Sequence, residues 1–449
     1  MTSDKAFWLF AFFAIVVFLM GGGSRHDYTS VGPLRFIAAI VLAIGIYFQT
    51  AQSFKRVAGP VILLLLLATL MAMQLIPLPP SWWSSLPGRE TIVETGELIG
   101  LSDVWRPLTF SPLKTANSLA SLVVPIAAFL LLALLEDAGW ARVRKLIIFT
   151  GLASALLGLA QVIVSGAPGL YFYDITSNGS AVGLFANRNH NALFLNIALL
   201  FSLFENWRTT SRKSAGSQLT LVAIQIVLLL AILINGSRFG LALLALIALV
   251  FAVQLLVSRR TNKPARKAIR SQNMAAVLVS ALSLGLIGLF VGMSRIPAID
   301  RFFTQSLDEG QRAETLPYIL SLLTDHFPYG VGFGAFEQAY RTIEPAEFLG
   351  PAYLNHAHND WLQIAIEGGA IAVGLLAVAL ILLMRRVIWL WGARRGKEPF
   401  PPAPWLGLLA LLMIGSHSLV DYPLRVPSIM LVCAICVGMV FRSPTAQRE

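Results

Sequence analysis

Charge is what this sequence has least of. Asp, Glu, Lys and Arg make up 13% of its 449 residues, against about a quarter in soluble domains. With 56% hydrophobic residues and a mean hydropathy of +0.72, that shortage excludes an ordinary soluble chain and predicts an all-α polytopic membrane protein. Cysteine is nearly missing as well. Cys433 and Cys436, spaced C-A-I-C inside the last apolar run, read as small core residues rather than a redox or metal pair, and no disulfide framework is present. No small-x-small site with a polar flank follows Ala6–Met20, so a retained first span is expected rather than a cleaved leader. No internal repeat supports a transporter built from two halves.

What is present is a series of apolar runs of membrane-spanning length. Twelve are expected, at about 6–21, 34–51, 59–77, 116–135, 144–165, 190–205, 217–235, 238–257, 273–293, 360–384, 404–420 and 426–441. The net charge of +11 calls for no nucleic-acid partner, because the basic residues follow the positive-inside bias. With the N-terminus cytoplasmic, roughly two thirds of the 34 Lys and Arg fall on inside segments. Both termini inside is the expected topology. It divides the chain into helices 1–9 (1–293), a large outside loop (294–359) and helices 10–12 with a short tail (360–449). Within that loop Gln311–Leu323 has helical spacing, FPYGVGFG breaks the chain, and Ala335–Ile343 is a second short helix.

Polar and ionisable residues then collect at one boundary. Arg188, Arg238 and Arg312 share the outside level with His190, His356, His358, Asn359, Asp360 and Asp421. An ionisable cluster at a helix mouth is costly to keep in a membrane and marks a functional site. Arginine offers phosphate or diphosphate a planar fork that keeps its charge, and histidine moves a proton near neutral pH. Together they suit a reaction with a diphosphate leaving group. Taken singly, Arg238 reads first as a snorkelling boundary arginine, and Arg188 and Arg312 stand even between the two readings. His190 and His326 read as structural or solvent-facing, and His417 as a hydrogen-bonded core residue. His358 stands out because Asn359 and the helix start can orient it. His356, His358 and Asp360 alternate, so an extended strand would place them on one face as a metal site. H-x-H without a further cysteine or acidic ligand is insufficient for one, and neither metal nor cofactor is expected.

These residues resemble the O-antigen ligase family, which includes O-antigen and exopolysaccharide polymerases. The likeness rests on NRNHNALFL around Arg188, SRFG around Arg238, QRAETL around Arg312, PYGVGFGAF, and His358–Asn359 at the end of the largest loop, followed by a helix containing EGG. It covers about 180–440; before that only the span pattern matches. The family pattern runs on from His358 and Asn359 to Gly369, but its last position, Gly, Thr or Tyr, is Ala372 here. The resemblance implies a GT-C-type, inverting, metal-independent glycosyltransferase of the bacterial inner membrane, with a periplasmic site. It would move a glycan from undecaprenyl diphosphate to an acceptor glycan or lipid A–core. His358 would be the base and Arg188, Arg238 and Arg312 the diphosphate ligands, with Asn359, His356 and Asp360 supporting. A flippase of lipid-linked oligosaccharide and a protein O-oligosaccharyltransferase are the alternatives. Membrane lipid is an expected partner and nucleic acid is not.

Overall fold

A computed structural model describes residues 1–164, 169–208, 215–261, 307–349, 353–392 and 403–442; side chains at 206–215 and 254–313 lie outside the description. The expected ninth span, 273–293, therefore lies outside the described residues, as does the side chain of Arg312.

The described chain is almost wholly helical. In order it forms α1 (Ser3–Met20), α2 (Val31–Tyr47), α3 (Ala51–Lys55), α4 (Ala58–Met73), α5 (Pro80–Trp83), α6 (Glu90–Leu98), α7 (Pro112–Ser121), α8 (Val123–Ala133), α9 (Asp137–Ile163), α10 (Arg188–Arg208), α11 (Ala215–Asn235) and α12 (Arg238–Thr261). Then follow α13 (Leu307–His326), α14 (Phe336–Arg341), α15 (Asp360–Gly392), α16 (Ala403–His417) and α17 (Pro427–Phe441). One antiparallel pair of two-residue strands, β1 (Pro77–Leu78) and β2 (Arg106–Pro107), departs from the all-α expectation and closes the segment after α4. Among the described residues, five helical stretches are long and apolar enough to cross a membrane: Ser3–Met20, Pro112–Ala133, Asp137–Ile163, Gly216–Asn235 and Asp360–Gly392. Five more apolar helices of 10–17 residues accompany them. The chain is a membrane protein.

Local chemistry sets the helix starts. Thr50 and Ser53 form a reciprocal capping box on α3. Proline stands in the first turn of α5, α7 and α17, where a missing N–H costs nothing. The α10 helix, the expected sixth span, is apolar on nearly every side and runs through the protein interior, with every residue from His190 to Glu205 buried. It packs on α9, α11, α12 and α16. The α1 helix packs on α2, α8, α9 and α17, and α16 pairs with α17. Both cysteines are free thiols on α17, with Cys436 in the core.

The bundle interior is not free of charge. Arg144, which looks like a loop cation in the sequence, lies on α9, and its Nε donates to Glu205 Oε1 of α10 at 2.5 Å with both side chains buried. Neither charge can persist there without its partner.

One end of the bundle is tied together by backbone bonds between chain segments far apart in sequence. Ser428 N donates to Gly21 O, Ala186 N to Gly22 O, and Asp360 N to Ser418 O, at 2.9–3.0 Å. The ends of α1, α10, α15, α16 and α17 therefore converge, and the polar boundary residues gather there.

The α15 helix is broken just inside that end. Gly369 has φ +59°, a conformation that favours glycine, and a Cβ there would lie 2.0 Å from Pro328 O. The break frees backbone groups that the FPYGVGFG segment takes up. Val331 N donates to Ile366 O, Gly332 N to Glu367 O, and Ala370 N to Pro328 O, at 2.8–2.9 Å. Gln74 of α4 adds Nε2 to Glu367 O and accepts from Phe333 N, both at 3.0 Å. Ala372, the position that departs from the family pattern, is buried beside Phe333, Leu70 and Met71.

Candidate functional site

The loop Asn355–Asn359 delivers the two histidines. His358 has φ +48°, a left-handed conformation rare outside glycine and therefore held by its surroundings. Asn359 Oδ1 accepts from Leu362 N at 3.0 Å and caps α15. Asp360, the first helical residue, accepts from Ser418 Oγ and Leu424 N at 3.0 Å each. The mouth of α15 is thus fastened to the turn between α16 and α17 on both sides of the residue that follows the histidine pair.

That turn carries Asp421, whose side chain is fully buried. His358 Nδ1 lies 3.4 Å from Oδ1, His190 Nε2 3.9 Å from Oδ1, and His417 Nε2 3.8 Å from Oδ2. Two shorter bonds fix the carboxylate itself: Asn189 Nδ2 to Oδ2 and Tyr422 N to Oδ1, both at 3.0 Å. Burial pushes the Asp421 carboxyl up, but the His358 and His417 imidazoles outweigh burial and hold it well below the usual carboxylate range. Asp421 has three imidazoles around it, and His358 alone among them is partly open, its side chain 17% exposed.

A second network runs from His356. Its Nδ1 is 3.2 Å from Gln363 Nε2, and the same amide nitrogen donates to Glu367 Oε1 at 2.8 Å. Gln363 Oε1 accepts from Ala357 N at 3.0 Å. Arg425 Nη2 donates to Glu367 Oε2 at 2.8 Å, and its Nε lies 3.5 Å from Asp360 Oδ1. Burial, with Arg425 beside it, pushes the His356 imidazole well below its ordinary value. The Tyr422 ring neighbours both histidines, with centroids 4.2 Å from His356 and 4.9 Å from His358.

The alternation of His356, His358 and Asp360 therefore does not produce one face. The segment is not a strand. His358 turns to Asp421, His356 to Gln363, and Asp360 to Ser418 and Leu424, so the imagined H-x-H ligand face is not formed. Among the described residues no group of three His, Cys, Asp or Glu side chains is placed to hold a metal ion.

Two of the three arginines reach the same end. Arg188 opens α10, half-buried, one residue before Asn189, which bonds Asp421. Arg238 opens α12, exposed, one residue before Phe239, whose ring lies 4.9 Å from that of His417. Asn235 Nδ2 donates to Arg188 O at 2.9 Å and Asn235 Oδ1 accepts from Ser237 N at 3.2 Å, which locks the two helix starts together. Arg312 lies on α13, and its side chain is outside the described residues.

His190 and His417, read from sequence as structural and core residues, are both buried beside Asp421, so they belong to the framework of this cluster. Asp421 itself was visible only as one of several boundary residues. Tyr422, Gln363 and Arg425 gave no signal at all. Glu367, an acid inside the EGG of a span, was the one clue that α15 needs a cationic partner.

Residues 223–377 match the family model described as O-antigen ligase. No curated protein sequence matches the chain. The matched segment contains Arg238, His356, His358, Asn359, Glu367 and Gly369, whereas Arg188, His417, Asp421 and Arg425 lie outside it.

Proposed function

With the chain placed in the O-antigen ligase family through residues 223–377, we propose that it transfers a glycan from a polyprenyl-diphosphate carrier to an acceptor hydroxyl at the end of the bundle where His358 and Asp421 meet. The observation that carries this reading is the pairing of a partly open imidazole with a buried carboxylate, beside two arginine-headed helices. Family membership makes the chain a membrane component of surface-polysaccharide biosynthesis. The donor, the acceptor and the steps below are the proposal.

The chemistry follows from the geometry. Asp421 faces Nδ1 of His358, which favours the tautomer with its proton there and leaves Nε2 as the free base. Nε2 takes the proton of the acceptor hydroxyl as its oxygen attacks the anomeric carbon. The bond from that carbon to the diphosphate oxygen breaks, and the leaving diphosphate keeps the electron pair. Asp421 stabilises the imidazolium that forms, as a buried carboxylate does for a general base. Arg188 and Arg238, with Arg312 as the third ligand, neutralise charge growing on the diphosphate. Attack opposite the leaving group inverts the sugar centre, and no metal or cofactor is required by this residue set.

The wider architecture in this reading is a GT-C-like protein of twelve spans in the bacterial inner membrane. It has cytoplasmic termini, helices 1–9 in 1–293, a periplasmic loop in 294–359, and the last three helices in 360–449. The reading favours a ligase or polymerase. The flippase alternative gains one observation, the break in α15, since broken helices are a transporter feature. Here, however, the groups freed by the break are taken by Val331, Gly332 and Gln74 rather than left open to a substrate.

The test is complementation of a deletion strain. Wild-type protein restores surface polysaccharide, and His358→Ala, inserted at equal level, does not; near-normal glycan from that variant sinks the base assignment. Unligated long lipid-linked chains in the deletion strain identify a ligase, and single-repeat products identify a polymerase.

A further inference from the structure

A cavity in the bundle is lined by His356 but not by His358. A space of about 850 Å³ runs between α2, α4 and α8 on one side and α15, α16 and α17 on the other. Its wall follows α17 from Pro427 to Phe441, roughly 21 Å at 1.5 Å per residue. Leucines recur along it, among them Leu64, Leu67, Leu383, Leu411 and Leu412. Its polar lining carries Arg25, Arg35, Lys114, His356 and Arg425, with the carboxylates Glu337 and Asp360.

Three of those four permanent cations are spoken for. Arg25 pairs with Asp27 at 2.6 Å, Lys114 with Glu337, and Arg425 with Glu367 at 2.8 Å. Arg35 differs. It lies in the second turn of α2 and donates to the O and Oδ1 of Asn117, at 3.0 and 2.5 Å. Among the described residues, no carboxylate faces it. A half-buried guanidinium on an apolar helix, with neutral partners and an open cavity in front, is a costly arrangement that an anionic ligand would relieve.

Shape narrows the ligand further. A hydrocarbon core is about 30 Å thick, so a channel of roughly 21 Å is deeper than one leaflet. The volume is that of a single ordinary ligand, inside the usual 300–1,000 Å³ range. It suits one long chain rather than the several chains of a large acylated glycolipid. Position narrows its role. His356 lines this cavity and His358 does not, and neither Arg188 nor Arg238 lines it.

We infer that this cavity seats a second lipid substrate, the carrier of the acceptor glycan, with a single polyprenyl chain along the leucine wall and its phosphate or diphosphate on Arg35. The inference rests on the transfer reaction proposed above. It makes donor and acceptor both single-chain lipids, which is the polymerase form of that reaction.

Native mass spectrometry of the full-length protein in detergent, titrated with undecaprenyl diphosphate, tests it. Wild type binds two molecules. Arg35→Gln weakens one of the two by at least tenfold and keeps the other, Arg35→Lys restores part of the loss, and Arg238→Gln shows the converse pattern. Leu411→Trp, which fills the channel and leaves every charge in place, removes the same molecule as Arg35→Gln. A single bound molecule in wild type, or two retained in both Arg35→Gln and Leu411→Trp, overturns the inference. So does displacement of the Arg35-dependent molecule by a multi-acyl bisphosphorylated glycolipid or by phosphatidylglycerol at equal concentration. Failure of the transfer reading is separate: it shows as no glycan transfer by wild type whatever the binding stoichiometry.

Discussion

Nδ1 of His358 stands 3.4 Å from Oδ1 of Asp421, a partly open imidazole facing a carboxylate with no solvent exposure. The distance is longer than a hydrogen bond, and catalytic contacts of this kind shorten when substrate binds. Asp421 is anchored independently by Asn189 and the Tyr422 backbone, so replacing its charge need not move it. Asp421→Asn is expected to lower the transfer rate by roughly 10²–10⁴-fold, by analogy with the orienting carboxylate of a catalytic triad. Binding of the polyprenyl-diphosphate donor stays within about threefold. Rate and donor affinity measured on the same preparation check this, and a variant with normal rate removes Asp421 from the reaction.

Arg238 and Arg188 head two helices that Asn235 ties together. If both bind a diphosphate through two parallel N–H donors, lysine is a poor replacement despite its charge. Arg238→Lys is expected to raise the donor KM about tenfold or more, with a smaller change in kcat, and Arg188→Lys to do the same. Equal activity in both lysine variants would reduce these arginines to anchors at the membrane boundary. The control is expression and detergent stability, which neither variant should change.

The helices were legible because apolar runs of spanning length have few other uses, and Arg188–Arg208 and Asp360–Gly392 begin within two residues of the expected starts at 190 and 360. His358–Asn359 was legible because a polar pair at a helix mouth is costly; that Asn359 caps the helix through Leu362 N was not. The partners of these residues were not. Asp421 lies 63 positions from His358, and Arg425 lies 58 from Glu367; span parity places them at one end but says nothing of which side chains touch. The alternation at His356, His358 and Asp360 misleads because period two has meaning only in a strand, and the left-handed backbone at His358 breaks it. Arg144 misleads in the same way: beside Arg142 and Lys145 it looks like a loop charge, until α9 turns it inward to Glu205.

Gly369 was visible as a motif position without a reason. The reason is steric: φ +59° and a virtual Cβ 2.0 Å from Pro328 O leave no room for a side chain. Gly330 across the contact is similarly placed, with φ +79° and a virtual Cβ 2.7 Å from Glu367 O. Gly369→Ala is expected to destabilise the protein by about 2–4 kcal/mol, combining left-handed strain with loss of the segment packed on the break. Thermal unfolding in detergent should show a Tm lower by several degrees, while Gly374→Ala on the same helix, with nothing within 4 Å of its Cβ, is close to wild type. Equal Tm values for the two would mean that the break is not fixed by this contact.

His356 supplies a prediction of opposite character, in pH. Burial and Arg425 hold its imidazole well below the ordinary value, which is about 6.5 in an unfolded chain. Below that pH the unfolded chain takes a proton that folded His356 refuses. Stability is therefore intact above about pH 6.5 and falls as the pH is lowered, at up to ~1.4 kcal/mol per pH unit for one group. His356 is half-buried and lines the cavity, so the slope is softer than that limit. Asp421 adds nothing in this window, because its carboxyl is ionised in both states until the pH nears the ordinary carboxylate value of about 4. His326, also depressed by burial, contributes in the same direction and remains in any His356 variant. Melting curves between pH 7.5 and 5.0 should show wild type losing stability steadily and His356→Gln, which keeps an amide for Gln363 and cannot protonate, losing distinctly less. Parallel curves for the two proteins would mean that His356 accepts its proton in the folded state, and that the neutral imidazole assigned to the wall of the cavity is wrong.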